Sequence, residues 1–165
     1  MASASSSSGS VPNAPRKYDV FISFRGETRN NFTSYLHAAL DRASLEVFRD
    51  DKKLETGDEI APSLIQAIKD SSVSVIVFSE DYASSKWCLD ELHRIMQYRK
   101  DEGQYVIPIF YKVDPKDVRN QTGSYEKAFE KHEIYYQHDP DRVNRWRAAL
   151  SDAGKLSGKH CETST

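Results

Sequence analysis

The stretch Val73-Ser74-Val75-Ile76-Val77-Phe78, followed a few residues later by Lys86-Trp87-Cys88-Leu89-Asp90-Glu91-Leu92, decides the fold class. The first segment is a short apolar run that ends in polar residues, which predicts a buried strand leading into a helix. On that helix Trp87 and Glu91 are four residues apart and Cys88 and Glu91 three apart, so the three share one face. We therefore expect an aromatic ring, a thiol and a carboxylate beside the carboxyl end of a strand, where open α/β sheets bind ligands.

Strand and helix patterns alternate on both sides of this stretch. Apolar runs predict strands at residues 18–24, 45–48, 73–78 and 105–111. Apolar residues at helical spacing predict helices over about 32–40, 60–68, 87–99, 125–132 and 142–156. This alternation predicts an α/β fold, a flavodoxin-like parallel sheet of about five strands with helices on both faces. The second strand should lie beside the first and the first beside the third, and any fifth strand must be short.

Proline and glycine refine the second half of this plan. Pro108 lies inside the fourth strand and cannot donate a ladder hydrogen bond, so that strand should lie at or near the sheet edge. Asp114-Pro115 and Gly123 predict a loop after it. The last helix should turn four apolar residues towards the core, namely Val143, Trp146, Ala149 and Leu150.

Length and composition indicate one compact domain with a tail. We expect a disordered Ser-rich leader over residues 1–16, a folded domain over 17–161 and a short tail over 162–165. Plastid targeting is the alternative interpretation of the Ser-rich leader. No run of 18 apolar residues occurs, so no membrane contact is expected.

The charge balance and the cysteine content limit which partners and which cellular compartment are expected. The chain has 23 Lys and Arg against 25 Asp and Glu, so nucleic-acid binding is neither indicated nor excluded. Its two cysteines, Cys88 and Cys161, are too few for a disulfide framework and favour a reducing compartment. The expected location is the cytoplasm, with the nucleus as a further location. The five histidines show no metal-ligand spacing with the cysteines, so no metal site is predicted.

Four motifs, in order along the chain, resemble those of plant TIR domains. These domains are the N-terminal signalling modules of nucleotide-binding, leucine-rich-repeat disease-resistance receptors. The motifs lie at residues 19–27 (Asp-Val-Phe-Ile-Ser-Phe-Arg-Gly-Glu), 85–92, 106–111 with Asp114-Pro115, and 146–150 with Leu156-Ser157-Gly158. The resemblance covers about residues 17 to 161, and neither a Walker A sequence nor leucine-rich repeats accompany it.

The resemblance implies an activity and a site. The implied reaction is cleavage of the nicotinamide–ribose bond of NAD, or of NADP, as a substrate, with no cofactor and with activation by self-association. By resemblance Glu91 is the catalytic glutamate, Trp87 lies in the same pocket, and Cys88 matches a cysteine linked to a second, nucleic-acid-directed synthetase activity. The implied partners are further copies of the chain, as dimers or higher oligomers, and other TIR domains. The remaining residues that should border the nucleotide pocket are Arg25, Gly26, Glu27, Phe48 and Arg49.

Two positions depart from the family pattern. The family usually reads Gly-Glu-Asp-Thr-Arg after the first strand, whereas Gly26-Glu27-Thr28-Arg29 lacks the Asp. A Ser-His or Asp-His pair is common on the first helix at a self-association surface, where this chain has Ser34-Tyr35. The first departure affects the edge of the expected pocket, and the second affects the expected contact between copies.

Without the resemblance, plainer interpretations of the same residues stay open. A single Glu early in a helix often only interacts with the helix dipole, Trp87 could simply pack, and Cys88 could be a small buried apolar residue. A non-enzymatic module for homotypic TIR–TIR interaction is the alternative function. A phosphoacceptor receiver domain would need an acidic pair at the end of the first strand, where Ser23 and Phe24 stand.

Overall fold

The computed structural model describes residues 16–49, 55–56 and 59–161. Its main sheet has five parallel strands in the order β2-β1-β5-β6-β7. These strands are β1 (Tyr18–Ser23), β2 (Val47–Arg49), β5 (Ser71–Phe78), β6 (Tyr105–Tyr111) and β7 (Lys159–Cys161). The order confirms the predicted flavodoxin-like fold, because β2 lies beside β1 and β1 lies beside β5.

Helices connect these strands and cover the sheet. They are α1 (Phe32–Arg42), α2 (Pro62–Lys69), α3 (Lys86–Glu102), α4 (Pro115–Asn120), α5 (Ser124–Tyr135) and α6 (Pro140–Gly154). The Asn31 side chain caps α1 by accepting a hydrogen bond from the Phe32 N–H. The four residues predicted to face the core from the last helix are all buried.

The sheet separates two apolar cores. Because successive side chains of a strand point to opposite faces, Phe21 and Ile22 of β1 enter different cores. Ile22 packs in the core that α1 covers, together with Phe32 and Leu36. Phe21 packs in the larger core, which α2, α3, α5 and α6 cover. Helices therefore cover both faces, as predicted.

The edge strand β7 explains how a proline is accommodated in β6. Strand β7 pairs with β6 only from Ile109 onward, so Pro108 precedes the paired segment. Gly158 approaches the Pro108 carbonyl so closely that a Cβ atom at Gly158 would lie 2.1 Å from that oxygen. The prediction that β6 lies near the sheet edge is confirmed, because only the short β7 lies outside it.

Two local features differ from the sequence-based plan. The segment predicted as a loop at Asp114-Pro115 contains the helix α4, because Asp114 accepts the Lys116 N–H and Pro115 occupies the first helical position. The charged segment 49–59 carries a small antiparallel pair, β3 (Glu55–Thr56) and β4 (Glu59–Ile60). The rest of that segment, the expected leader up to residue 15 and the expected tail 162–165 lie outside the described residues. Of the helices described, none has the length and apolarity needed to cross a membrane.

Candidate active site

The carboxyl edge of the sheet gathers the residues that follow β1 and β5 around the start of α3. Ser23 is the last residue of β1, and Ser79 follows the last residue of β5. Ser85 begins α3 because its side chain accepts a hydrogen bond from the Cys88 N–H at 3.2 Å. This cap fixes where α3 starts, and therefore where Trp87, Cys88 and Glu91 lie above the sheet edge.

Glu91 is fully buried at this edge and is held by a residue of β1. Its Oε1 accepts a hydrogen bond from Ser23 Oγ at 2.8 Å, across 68 residues of sequence. Glu91 is the sixth residue of α3 and lies beyond its first turn, which holds the free N–H groups of the helix start. The plain helix-dipole interpretation therefore does not fit Glu91, because that effect is confined to the first turn.

Tyr82 supports the Ser23–Glu91 contact from the other side. Its hydroxyl lies 2.8 Å from Ser23 Oγ and donates to the Cys88 carbonyl oxygen at 3.1 Å. Burial raises the pKa of Tyr82 well above its usual value of 10.0, and the negative charge of Glu91 raises it further. The phenol therefore stays neutral, so it can donate a hydrogen bond inside this network.

Cys88 lies inside the core rather than at the surface of the site. Its thiol is fully buried and donates to the Phe24 carbonyl oxygen at 3.4 Å. Cys88 therefore ties the start of α3 to the residue after β1. The expectation that Cys88 is a small buried residue is confirmed.

The loops after β1 and β5 are joined across the edge. Glu27 Oε1 accepts hydrogen bonds from Ser79 Oγ at 2.6 Å and from the Asp81 N–H at 3.2 Å. Arg25 Nε lies 3.3 Å from Asp81 Oδ2, but both side chains are more than a third exposed. The Glu27 contacts hold the two loops together, whereas the exposed Arg25–Asp81 pair contributes little to stability.

An open cleft of about 340 Å³ lies outside this network, against Trp87. Its walls come from the loop after β1, the start of α3 and the end of α5, and the lining residues are Arg25, Ser84, Ser85, Lys86, Trp87, Lys131, His132, Tyr135 and Tyr136. The structure therefore brings Arg25 and Trp87 together at one cleft. Glu91 does not line that cleft but lies buried at the same end of α3.

His132 is the titratable ring of this cleft. Its Nε2 donates to the Ala83 carbonyl oxygen at 2.8 Å. Burial lowers the pKa of His132 below its usual value of 6.5; the Ala83 hydrogen bond opposes this shift, and the charges of Arg142 and Arg147 add to it. The ring is therefore a neutral donor at pH 7.

The other predicted pocket residues lie at separate places. Gly26 begins a short 3-10 helix, Gly26–Thr28, in the loop that Glu27 anchors. Phe48 stacks on Phe21 with ring centroids 5.5 Å apart, and it lines a different cleft beside α2. The Arg49 guanidinium lies over the Phe24 ring, 5.8 Å from its centroid. The structure therefore does not place Phe48 in the cleft that holds Trp87.

Sequence reasoning missed the residues that hold Glu91. Ser23 and Tyr82 were not predicted as site residues, although a serine that ends an otherwise apolar strand was a visible signal. Ser79 and Asp81 hold the edge loop through Glu27, and they follow β5 directly. Polar residues just after a buried parallel strand lie where such sheets bind ligands, and this rule would have selected them.

Fold and site together define a flavodoxin-like α/β domain with a buried glutamate at the carboxyl edge of its sheet. Residues 17–165 match the family model described as TIR domain. The chain belongs to the TIR domain family.

Relatives at high identity are plant disease resistance proteins. The chain is 54% identical to disease resistance protein RPV1 of Vitis rotundifolia over 158 residues, which is 94% of this chain and 11% of that protein. It is 50% identical to TMV resistance protein N of Nicotiana glutinosa, over 96% of this chain and 13% of that protein. The chain therefore spans roughly a tenth of the length of these relatives.

Solved structures agree with this assignment. The TIR domains in the structure of the activated Roq1 resistosome directly recognizing the pathogen effector XopQ superpose with a TM-score of 0.79 at 45% identity, over 87% of each chain. The TIR domain of the Toll-related receptor TRR-2 from Hydra magnipapillata matches with a TM-score of 0.50 at 22% identity, over 76% of this chain and 98% of that one. The second similarity concerns the fold alone.

Proposed function

We propose that this TIR domain is an NAD nucleosidase that cleaves the nicotinamide–ribose bond and is activated by self-association in plant immune signalling. The observation that carries the proposal is the position of Glu91, which is held by Ser23 at the carboxyl edge of the sheet, at the end of α3 that carries Trp87. NAD or NADP is the substrate, and nicotinamide is the common product. The ribosyl product is ADP-ribose or a related nucleotide.

The chemistry of this reaction needs only one carboxylate. Nicotinamide leaves as a neutral molecule from a pyridinium cation, so its departure needs no general acid. Positive charge develops on the ribose, and a carboxylate about 4 Å away stabilises it by roughly 4 kcal/mol at an effective dielectric constant near 20. Since about 1.4 kcal/mol corresponds to a factor of ten, this one charge supplies roughly a thousandfold in rate. Glycosidases with alkoxide leaving groups differ because they use two carboxylates.

Each residue at the edge has a distinct role in this proposal. Glu91 stabilises the ribosyl cation and holds ribose hydroxyls. Trp87 provides a flat wall on which a ring of the substrate can stack. Arg25, which lines the same cleft, is a phosphate partner. Ser23 and Tyr82 position the Glu91 carboxylate without touching substrate.

The burial of Glu91 supports activation by assembly. Substrate reaches a fully buried carboxylate only if part of the edge moves, and the contacts of Glu27 with Ser79 and Asp81 hold the edge loops together. A contact between copies that displaced these loops would open the route to Glu91. The similarity to TIR domains of the activated Roq1 resistosome supports such an arrangement.

A direct test measures nicotinamide release. Protein of residues 1–165 is incubated with NAD over a range of protein concentrations, with and without a crowding agent, and nicotinamide is quantified by chromatography. We expect turnover per molecule to rise with concentration and to disappear in Glu91→Ala. Circular dichroism of the variant is the folding control, and retained turnover in folded Glu91→Ala would refute the assignment.

A non-enzymatic scaffold is the second candidate, and two observations favour it. Glu91 is inaccessible in the isolated domain, and Tyr35 on α1 is 76% exposed, a large aromatic side chain available for contact. A scaffold would keep signalling in the Glu91→Ala variant and lose it when Tyr35 is changed to Glu. No nicotinamide release from protein that is demonstrably self-associated would favour the scaffold.

A further inference from the structure

A second cleft, of about 310 Å³, lies away from the Trp87 cleft, between α3 and α6. It shares no lining residue with the Trp87 cleft, and the proposed reaction does not use it. Ile60 at the end of β4 and Ile65 of α2 complete its walls. The two helices contribute matching sets, Asp90-x-x-His93-Arg94 from α3 and Arg142-x-x-Arg145-Trp146 from α6. Residues three and four apart lie on one helix face, so each set presents three side chains to the same space.

Asp90 of the α3 set and Arg142 of the α6 set form an ion pair and neutralise each other. Asp90 Oδ2 accepts from Arg142 Nη2 at 2.8 Å, and Asp90 Oδ1 accepts from Trp146 Nε1 at 2.8 Å. This contact fixes the spacing of α3 and α6. It also removes Asp90 as a counter-charge for the other cations of the cleft.

Two guanidinium groups remain beside the imidazole of His93. In the described part of the chain, neither Arg94 nor Arg145 forms an ion pair. Arg94, Arg145 and His93 all line this cleft. Burial lowers the pKa of His93 below 6.5, and the positive charges of Arg145 and then Arg94 lower it further. Among the lining residues whose side chains the structure describes, Asp139 is the one remaining carboxylate, so these residues carry an excess of positive charge.

We propose that this cleft binds a phosphate ester of nucleotide size, with Arg94 and Arg145 on the phosphate and His93 as a further donor. Two guanidinium groups from different helices can clamp one phosphate group from two sides. Ile65 is the partly exposed apolar residue of the lining, and its side chain suits the organic part of the ligand. A long polyanion fits less well, because the net charge of the chain is -2.

The test detects ligand binding through the NMR signals of His93, which lines the cleft. Pyrophosphate and ADP are titrated into the 1–165 protein, and the imidazole resonances of His93 are recorded by NMR. This readout separates the α3–α6 cleft from the Trp87 cleft, which ADP could also enter as a part of NAD. Binding of an anion beside His93 stabilises its protonated form, so its resonances should shift in the direction of protonation.

Three charge-removing variants decide the assignment. Arg94→Gln and Arg145→Gln should each weaken ADP binding about tenfold, since each removes a charge-assisted hydrogen bond. Arg99→Gln removes the same charge from α3 at a position outside the cleft and should change binding less than about twofold. Nicotinamide release should be unchanged in all three, so the result does not depend on the proposed function.

Four outcomes would overturn the proposal. The first is that Arg99→Gln weakens ADP binding as much as Arg94→Gln and Arg145→Gln do, and the second is that acetate or sulfate binds as tightly as pyrophosphate. The third is that ADP binds no more tightly than pyrophosphate. The fourth is that a single-stranded RNA binds the Arg94→Gln, Arg145→Gln double variant as tightly as the unchanged protein. The first two indicate non-specific attraction. The third would mean that the organic part of ADP contributes nothing to binding, and the fourth indicates a nucleic-acid surface elsewhere.

Discussion

Asp90 and Glu91 are neighbours in sequence, yet the structure gives the two carboxylates opposite surroundings. Asp90 is partly exposed and accepts hydrogen bonds from a guanidinium and an indole of α6. Glu91 is fully buried and accepts a hydrogen bond from the Ser23 hydroxyl of β1. One helix therefore turns one carboxylate towards a neighbouring helix and the next towards the carboxyl edge of the sheet.

This difference distinguishes a carboxylate with a structural role from one that, in our proposal, takes part in the reaction. A carboxylate paired with a guanidinium holds two elements together, and its charge is largely used in that pairing. A buried carboxylate that a hydroxyl orients at the sheet edge is placed to stabilise a cation that forms beside it. The same residue chemistry thus serves packing in Asp90 and, in our proposal, catalysis in Glu91.

The largest expected effect is the loss of activity in Glu91→Gln. This variant keeps the side-chain shape and removes the charge, so nicotinamide release should fall about a thousandfold, in line with roughly 4 kcal/mol of lost stabilisation. Steady-state kinetics on self-associated protein measures the effect. A fall of less than tenfold would mean that Glu91 and Asp90 do not differ as proposed.

Asp90→Asn is the matched change at the neighbouring residue, and it should act on stability. It removes the charge of the carboxylate that accepts from Arg142 Nη2 at 2.8 Å, which should lower the free energy of unfolding by about 2 kcal/mol. Urea unfolding followed by circular dichroism measures the loss. Turnover per folded molecule should stay within about threefold of the unchanged protein, and a loss of turnover as large as that of Glu91→Gln would break the comparison.

A smaller effect is expected at Ser23, which positions Glu91. Ser23→Ala removes the hydrogen bond to the carboxylate, and the loss of about 1.5 kcal/mol should lower kcat about tenfold. Ser23→Thr keeps the hydroxyl and should recover most of kcat, provided that the added methyl is accommodated. Unchanged kcat in Ser23→Ala would show that Glu91 is oriented by other contacts.

The smallest effect concerns pH and the buried His132. Its folded pKa is lowered, so the unfolded chain binds a proton first as the pH falls through about 6.5. His132 therefore makes the domain less stable at pH 5.5 than at pH 7.5. Urea unfolding at both pH values should show a smaller drop in His132→Gln, and an equal drop in both proteins would contradict this linkage.

The sequence predicted the sheet well wherever apolar runs were long. Strand β6 was predicted with its observed bounds, and the order around β5 followed from strand–helix alternation. A short fifth strand was predicted, but its position was not, because β7 has only three residues and pairs where Gly158 can approach Pro108. That close approach is a tertiary property. Helix α4 was missed because Asp114-Pro115 is as typical of a turn as of a helix start.

Part of the site was predictable from the sequence, but contacts between residues that are far apart in the sequence were not. Trp87, Cys88 and Glu91 were found together because helical spacing is local. Glu91 accepts from Ser23 of β1, and Ser23 in turn contacts Tyr82 of the loop after β5, which is 59 residues further along the chain. No periodicity links such positions, so only the folded sheet shows that Ser23 lies between Tyr82 and Glu91.

Strand β7 has a practical consequence for how the protein can be handled. All five strands of the main sheet run parallel, so Cys161 ends on the same edge of the sheet as Ser23 and Ser79. Two strand spacings separate β7 from β5, roughly 10 Å. A carrier fused behind Cys161 would therefore be tethered close to the carboxyl edge, where Glu91 lies, at a high effective concentration there. A carrier fused ahead of Tyr18 would start from the opposite edge of the sheet and leave the carboxyl edge open.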